Sequence, residues 1–276
     1  MHDDPSEQLR SAEWEDLSAP ERFVPEEAGF VPPDPSEPPP VELWSAVGDV
    51  PPWDSLLLLL SWAAMFASFM ARHELGDNAA YITHGASLAE RPTLEAAWRL
   101  LASTFLHGGY SHLFFNSLSM LVFGPAVERI FGRWAFWTVF AFGGATASLV
   151  SVGWRLTRDS SASHLSIGAS GAIFALAGAL LTGAWRLRRR LAVGRARALA
   201  AAILFFSVPA IAQGFQRVGT DNAAHIGGMA AGLLLGSLVP LNPRLGGPPF
   251  NPFVRALGAA GALALVGAFV HALAGG

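Results

Sequence analysis

Two polar residues in apolar surroundings carry the chemistry that this sequence can do. They are Ser170, in Gly168-Ala169-Ser170-Gly171, and His225, in Ala224-His225-Ile226-Gly227-Gly228. A serine hydroxyl becomes a nucleophile when an imidazole within hydrogen-bond reach takes its proton. The glycines flanking Ser170 leave its Oγ unshielded and let another backbone come close. Ser170 also opens an apolar helical run, and the first N–H groups of a helix are unpaired and suited to an anion. Gly228 and Gly232 form a small-xxx-small ridge that admits a neighbouring helix at short range, and His225, three residues before Gly228, shares that face. A third set, His112 and Asn116, lies one turn apart on one helix face and could aim two N–H donors at a developing oxyanion. Each set also has a plainer reading when taken alone. His112 and Asn116 serve as interhelical polar glue, the Gly168–Gly171 tetrapeptide as small-residue packing, and His225 as a histidine satisfied by a carbonyl.

The elements that must position these residues are membrane spans. The chain of 276 residues is 52% hydrophobic and only 14% charged, against roughly a quarter charged in soluble domains. Its apolar residues run in seven stretches: Ser55–Ala71, Leu113–Phe131, Trp134–Trp154, Ile167–Trp185, Ala198–Gly214, Ala223–Leu241 and Phe253–Ala274, the second extending back as far as His107 at most. Stretches near 20 residues match a hydrocarbon core of about 30 Å, and in lipid only helices or closed barrels satisfy their own backbone. The fold class is therefore all-α, a polytopic bundle of transmembrane helices.

The arginines set the orientation. Arg186, Arg188, Arg189, Arg190, Arg195 and Arg197 crowd the loop between the fourth and fifth stretches, which marks that loop as cytoplasmic. Alternating outward from it leaves the N-terminus inside, loops 73–106, 155–166 and 215–222 outside, and the C-terminus outside. Stretches two, four and six then run from outside to inside, and His112, Ser170 and His225 all fall near their external ends. Three unrelated packing residues do not predict one common depth, whereas a nucleophile, its base and an oxyanion site do. A site at that depth can receive the water that hydrolysis needs through an external cavity. Asp221, at the mouth of the sixth stretch, is the one acid near this level, so a Ser–His dyad is expected rather than a triad.

Residues 1–53 contrast with the rest. They hold 13 acids against two arginines and are rich in proline, a balance of −11 within a net charge of −3. With no apolar core segment they do not read as a signal peptide, and such a composition favours a disordered cytoplasmic tail, with an amphipathic patch around Trp44. The chain contains no cysteine, which excludes disulfides, thiol nucleophiles and cysteine zinc sites.

These residues, in this order, resemble the rhomboid family of intramembrane serine proteases. The resemblance covers roughly residues 54–241 and rests on His112-xxx-Asn116, Gly168-Ala169-Ser170-Gly171, Ala224-His225-xx-Gly228-xxx-Gly232, the Trp98-Arg99 pair before the second stretch, and Gly124-Pro-Ala-Val-Glu128 with Gly132. It implies a six-helix catalytic core at 54–241, with residues 242–276 supplying a linker and a seventh span, the "6+1" arrangement. It also implies Ser170 as nucleophile, His225 as general base, and an oxyanion hole from the Ser170 N–H with His112 and Asn116. Gly168, Gly171, Gly228 and Gly232 permit the close packing, Phe174 packs on the base's ring, and Trp98-Arg99 braces the first external loop at the membrane surface. His107 supports the polar network, and His271 matches no motif. The implied substrates are single-span membrane proteins cut near a small residue in the lipid bilayer. No metal, organic cofactor or nucleic acid is implied. The expected setting is a bacterial inner membrane. The alternative is an inactive relative that only binds membrane helices.

Overall fold

The computed structural model describes residues 52–88, 93, 96–157, 165–191, 194–215, 220–249 and 251–275. The expectations for the acidic tail and for the patch around Trp44 fall on residues outside that set. Among the described residues, seven long helices coincide with the seven apolar stretches: α1 (Trp53–Met70), α4 (Tyr110–Phe131), α5 (Arg133–Leu156), α6 (Ser170–Leu187), α7 (Arg195–Gly214), α8 (Asn222–Leu238) and α9 (Pro252–Ala274). Between α1 and α4, where the sequence reads simply as loop, the chain forms short helices α2 (Asn78–Thr83) and α3 (Arg99–Ala102) and a 3-10 turn at Ser103–Phe105. Among the described residues there is no strand, and an isolated antiparallel bridge joins Ser87 to Ser166.

Local chemistry sets the ends that matter. The fourth stretch, expected to be helical from Ile167, becomes helical only at Ser170, because Gly168 adopts φ +116°, a region L side chains avoid. Helix α8 stops at Leu238, three residues short of the expected end. Val239 is extended ahead of Pro240, which disfavours helix at the residue before it. Asp221 caps the start of α8, its Oδ1 accepting from the Ala224 N–H at 3.0 Å. Helix α9 has Pro252 in its first turn, an Asn251 cap and the left-handed Gly275 after its end.

Helix α6 is the axis of the bundle. In its apolar window 72% of residues are buried, against 11% for α7, which leans on the outside of α6 and α8. Helices α4, α5 and α8 pack around α6, and α9 packs against α5 and α3. The α6–α8 contact is the closest. A Cβ at Gly228 would run into the carbonyl of Gly171, one at Gly232 into that of Ala175, and one at Gly236 into the backbone of Ala179. The ridge expected at Gly228 and Gly232 thus has a third rung one turn on, and Gly178 of α6 answers it by meeting the backbone of Met229. Backbones this close gain dispersion along their whole length, which is how helices associate where lipid removes the hydrophobic incentive.

The outer face of the bundle is apolar. Leu60 is 69% exposed, Phe205 75% and Leu263 72%, a surface suited to hydrocarbon and not to water. Five of the long helices, α1, α5, α6, α7 and α9, are long and apolar enough to cross a membrane. Helix α8 has 17 residues, and α4, though of 22, carries His112, Asn116, Pro125, Glu128 and Arg129. The two helices outside the five are those that bring His225, His112 and Asn116. The protein is an integral, multi-pass membrane protein.

Two polar clusters lock the bundle. Glu128 of α4 accepts from the Ser55 N–H at 3.2 Å and from its hydroxyl at 2.6 Å, capping the first turn of α1, while Arg133 pairs with Asp54 at 2.7 Å. Gly124 leaves the room for this, since a Cβ there would overlap the Ser55 hydroxyl. At the other end, the carbonyls of Ala272 and Leu273 at the α9 terminus accept from His84 Nδ1 at 2.6 Å and from Arg72 at 3.2 Å. These bonds tie the seventh long helix to the end of α1 and the segment after α2.

Candidate active site

Ser170 is the first residue of α6 and His225 the fourth of α8, so the α6–α8 ladder brings two helix starts together. The Ser170 hydroxyl lies 2.9 Å from His225 Nε2. Phe174, one turn along α6, stacks on the imidazole with ring centroids 4.4 Å apart and planes 15° from parallel. The ring is thus held by two residues of α6 on successive turns, its Nε2 on the hydroxyl and its face on the phenyl. It is buried, and its Nδ1 has no partner among the described residues. With the proton on Nδ1, Nε2 presents a lone pair to the hydroxyl, the arrangement a general base requires.

The segment leading into Ser170 is fixed from both sides. The Gly168 N–H donates to the Ser103 carbonyl at 2.8 Å, and Ser166 exchanges two backbone bonds with Ser87 at 2.9 and 3.0 Å. Gly168 faces α4. A Cβ there would lie 2.5 Å from His112 Nε2 and 3.5 Å from Asn116 Nδ2, so only glycine leaves that space open. The Gly108 N–H approaches His112 Nδ1 at 3.4 Å. An acceptor role for Nδ1 puts the proton of the neutral ring on Nε2, the nitrogen that faces Gly168. Asn116 is buried, and its Nδ2 has no partner among the described residues. Two N–H donors therefore converge beside the backbone two residues before the serine.

The surrounding residues act as supports. His107 is buried edge-on to the His112 ring at 5.2 Å and packs against Trp62 at 5.6 Å. Its carbonyl accepts from the Tyr81 hydroxyl at 3.2 Å, and burial raises Tyr81 above the usual phenol range, which keeps that donor protonated. Arg99 gathers the carbonyls of Ile82 at 2.5 Å and Ala86 at 3.3 Å. Trp98 fills the space over Gly85 and meets His271 edge-on at 4.3 Å. Gly171 abuts Ala147 of α5, and Gly228 and Gly232 abut α6. The sequence reading has no role for His271, for Ser103 or for the Ser87–Ser166 bridge. Ser and His in loops and at helix ends have no periodicity to signal such long-range pairing.

No group of three or more histidine or acidic side chains placed to hold a metal occurs among the described residues. The arrangement as a whole offers a nucleophile with a base in contact and two donors nearby, the parts needed for acyl transfer.

Comparison with known proteins identifies the family of this fold. Residues 94–241 match the model of the Rhomboid domain, slightly more than half of the chain. RHOMBOID-like protein 5 of Arabidopsis thaliana is 36% identical over 152 residues, covering 54% of this chain and 46% of that protein. RHOMBOID-like protein 4 of the same plant is 33% identical over 156 residues, 55% of this chain and 36% of its own. Rhomboid protease GluP of Bacillus subtilis (strain 168) is 34% identical over 149 residues, 54% of this chain and 27% of its own. The match thus spans less than half the length of each of these relatives. Residues 94–241, matched by the family model, include the elements that carry Ser170, His225, His112 and Asn116, and the chain belongs to the rhomboid family.

Proposed function

We propose that this protein is an intramembrane serine endopeptidase working through a Ser170–His225 dyad. The observation that carries the reading is the 2.9 Å contact between the Ser170 hydroxyl and His225 Nε2. In this reading His225 takes the hydroxyl proton as Ser170 Oγ attacks a substrate carbonyl. The tetrahedral oxyanion is held by the Ser170 N–H, His112 Nε2–H and the Asn116 amide. The protonated His225 then gives its proton to the departing amine, leaving an acyl-enzyme. A water attacks this ester with His225 again as base, which releases the acid product and restores the serine.

The catalytic core is residues 54–241, with six spans including α4 and α8. Residues 242–276 add the seventh span, and the acidic N-terminal region lies on the cytoplasmic side. The arginine cluster between α6 and α7 supports a cytoplasmic N-terminus, an external C-terminus and a dyad near the external face; the membrane in this reading is a bacterial inner membrane. The substrates are single-span membrane proteins whose helix unwinds locally at a small residue.

The test is cleavage in liposomes. The full chain should cut members of a panel of single-span model substrates, and Asn116→Ala should lower kcat by about 10²–10³-fold with KM little changed, as for loss of one oxyanion donor. A wild-type chain that binds these substrates without cutting any would favour the inactive, helix-binding alternative.

A further inference from the structure

Ser170 and His225 stand on separate helices, and a second set of contacts, away from the glycine ladder, joins the segments that bear them. It begins at Asp221, whose Oδ1 caps α8 through the Ala224 N–H at 3.0 Å. Its Oδ2 accepts from the hydroxyl of Ser151, a fully buried residue of α5. One turn along α5, Arg155 donates from Nε to the Ser151 carbonyl at 3.3 Å and interacts electrostatically with Asp221. The same guanidinium reaches the Ser87 carbonyl at 3.2 Å and the Ser87 hydroxyl at 3.4 Å. Ser87 in turn holds Ser166 by two backbone bonds, four residues before the nucleophile. The path therefore runs from the base-bearing helix, across α5, to the strand-like bridge that fixes the entry to Ser170.

Asp221 does not contact the imidazole side chain. Its carboxylate oxygens are engaged by Ala224 and Ser151, and only its backbone carbonyl meets the His225 N–H, at 3.1 Å. It is thus no third member of a triad, and its connections run through the backbone of α8.

We infer that Asp221, Ser151 and Arg155 form a positioning brace that sets the start of α8 against the Ser166–Ser170 segment and so holds His225 in reach of Ser170. The inference rests on the dyad reading. A carboxylate with one oxygen for the helix cap and one for α5 performs two separable tasks. Capping orders the first turn of α8, and the bond to Ser151 with the charge facing Arg155 fixes where that turn stands.

Two variants separate the tasks. Ser151→Ala leaves the cap intact and removes the bond to α5. Asp221→Ser keeps a capping oxygen on a side chain one atom shorter and removes the charge. The full-length protein in detergent micelles is reacted with a fluorophosphonate, and kinact and KI are measured per folded molecule. Because a misplacement of about 1 Å costs on the order of 10²-fold in rate, kinact should fall about 10-fold in Ser151→Ala and about 10²-fold in Asp221→Ser. KI should stay within about twofold, and the double variant should be no slower than Asp221→Ser, as for residues acting as one unit. Unchanged kinact in both variants, an effect confined to KI, or losses that multiply in the double variant would overturn the inference. If the wild-type chain reacts and the variants match it, the brace alone fails. If the wild-type chain does not react, the dyad reading fails and takes the brace with it.

Discussion

Replacing His225 with alanine is expected to lower the rate of peptide cleavage by at least about 10⁴-fold, with substrate affinity little changed. The ring is the one base in contact with the Ser170 hydroxyl, at 2.9 Å. Without it the nucleophile remains a neutral alcohol, and no acid stands ready to protonate the leaving amine. The fold should survive the change. His225 is buried, but its side-chain hydrogen bond is to Ser170 and its ring contact to Phe174. Thermal unfolding of the variant in detergent should therefore stay near the wild-type midpoint while cleavage in liposomes falls to background. A variant that retains cleavage within 10-fold of wild type would require another base, and none touches Ser170 among the described residues.

Gly232→Leu is expected to be as damaging by a different route. A Cβ at Gly232 meets the carbonyl and Cα of Ala175, so the obstruction is helix backbone and cannot rotate aside. Overpacking of side chains costs about 1–3 kcal/mol; a clash against backbone on the axis of the bundle should cost more and separate α6 from α8. Gly228 sits one turn nearer the site against the Gly171 carbonyl, so the separation is transmitted to the pair. Gly232→Ala should give a smaller loss of the same kind, with the thermal midpoint and the labelling rate falling together. This distinguishes packing from chemistry, because His225→Ala lowers only the rate. A Gly232→Leu variant with the wild-type midpoint and rate would mean that the helices do not approach as closely as described.

The contrast between these two variants follows what the sequence makes legible. The long helices are plain from apolar length alone, and the pairing of Ser170 with His225 follows from their common depth near the starts of two helices. The positions of His112 and Asn116 on one face follow from a spacing of four. Gly228 and Gly232 announce a close contact, but only the structure shows that Gly236 and Gly178 extend it, because a glycine inside an apolar helix does not reveal which backbone it faces. The segment between α1 and α4 is harder still. Arg99 finds its acceptors at Ile82 and Ala86, and His84 its acceptor at Ala272, 188 residues away. Such bonds follow no helical or strand period. Asp221 illustrates the limit most clearly. The sequence shows it only as the one acid near the level of the dyad, and its engagement by the Ser151 hydroxyl, 70 residues earlier, has no sequence signal. Even the spanning helices show this. The polar residues that build the site make α4 less apolar than its neighbours, so the chemistry weakens the signal of the element that carries it.

Covalent labelling tests most directly whether Ser170 is an activated nucleophile. The purified full-length chain, its Ser170→Ala variant and its His225→Ala variant are incubated with a fluorophosphonate, and the site and extent of modification are read by mass spectrometry. The dyad predicts one phosphonylated residue, Ser170, in the wild type, none in Ser170→Ala and labelling near background in His225→Ala. Equal labelling of wild type and Ser170→Ala, or a wild type that stays unlabelled, would contradict it.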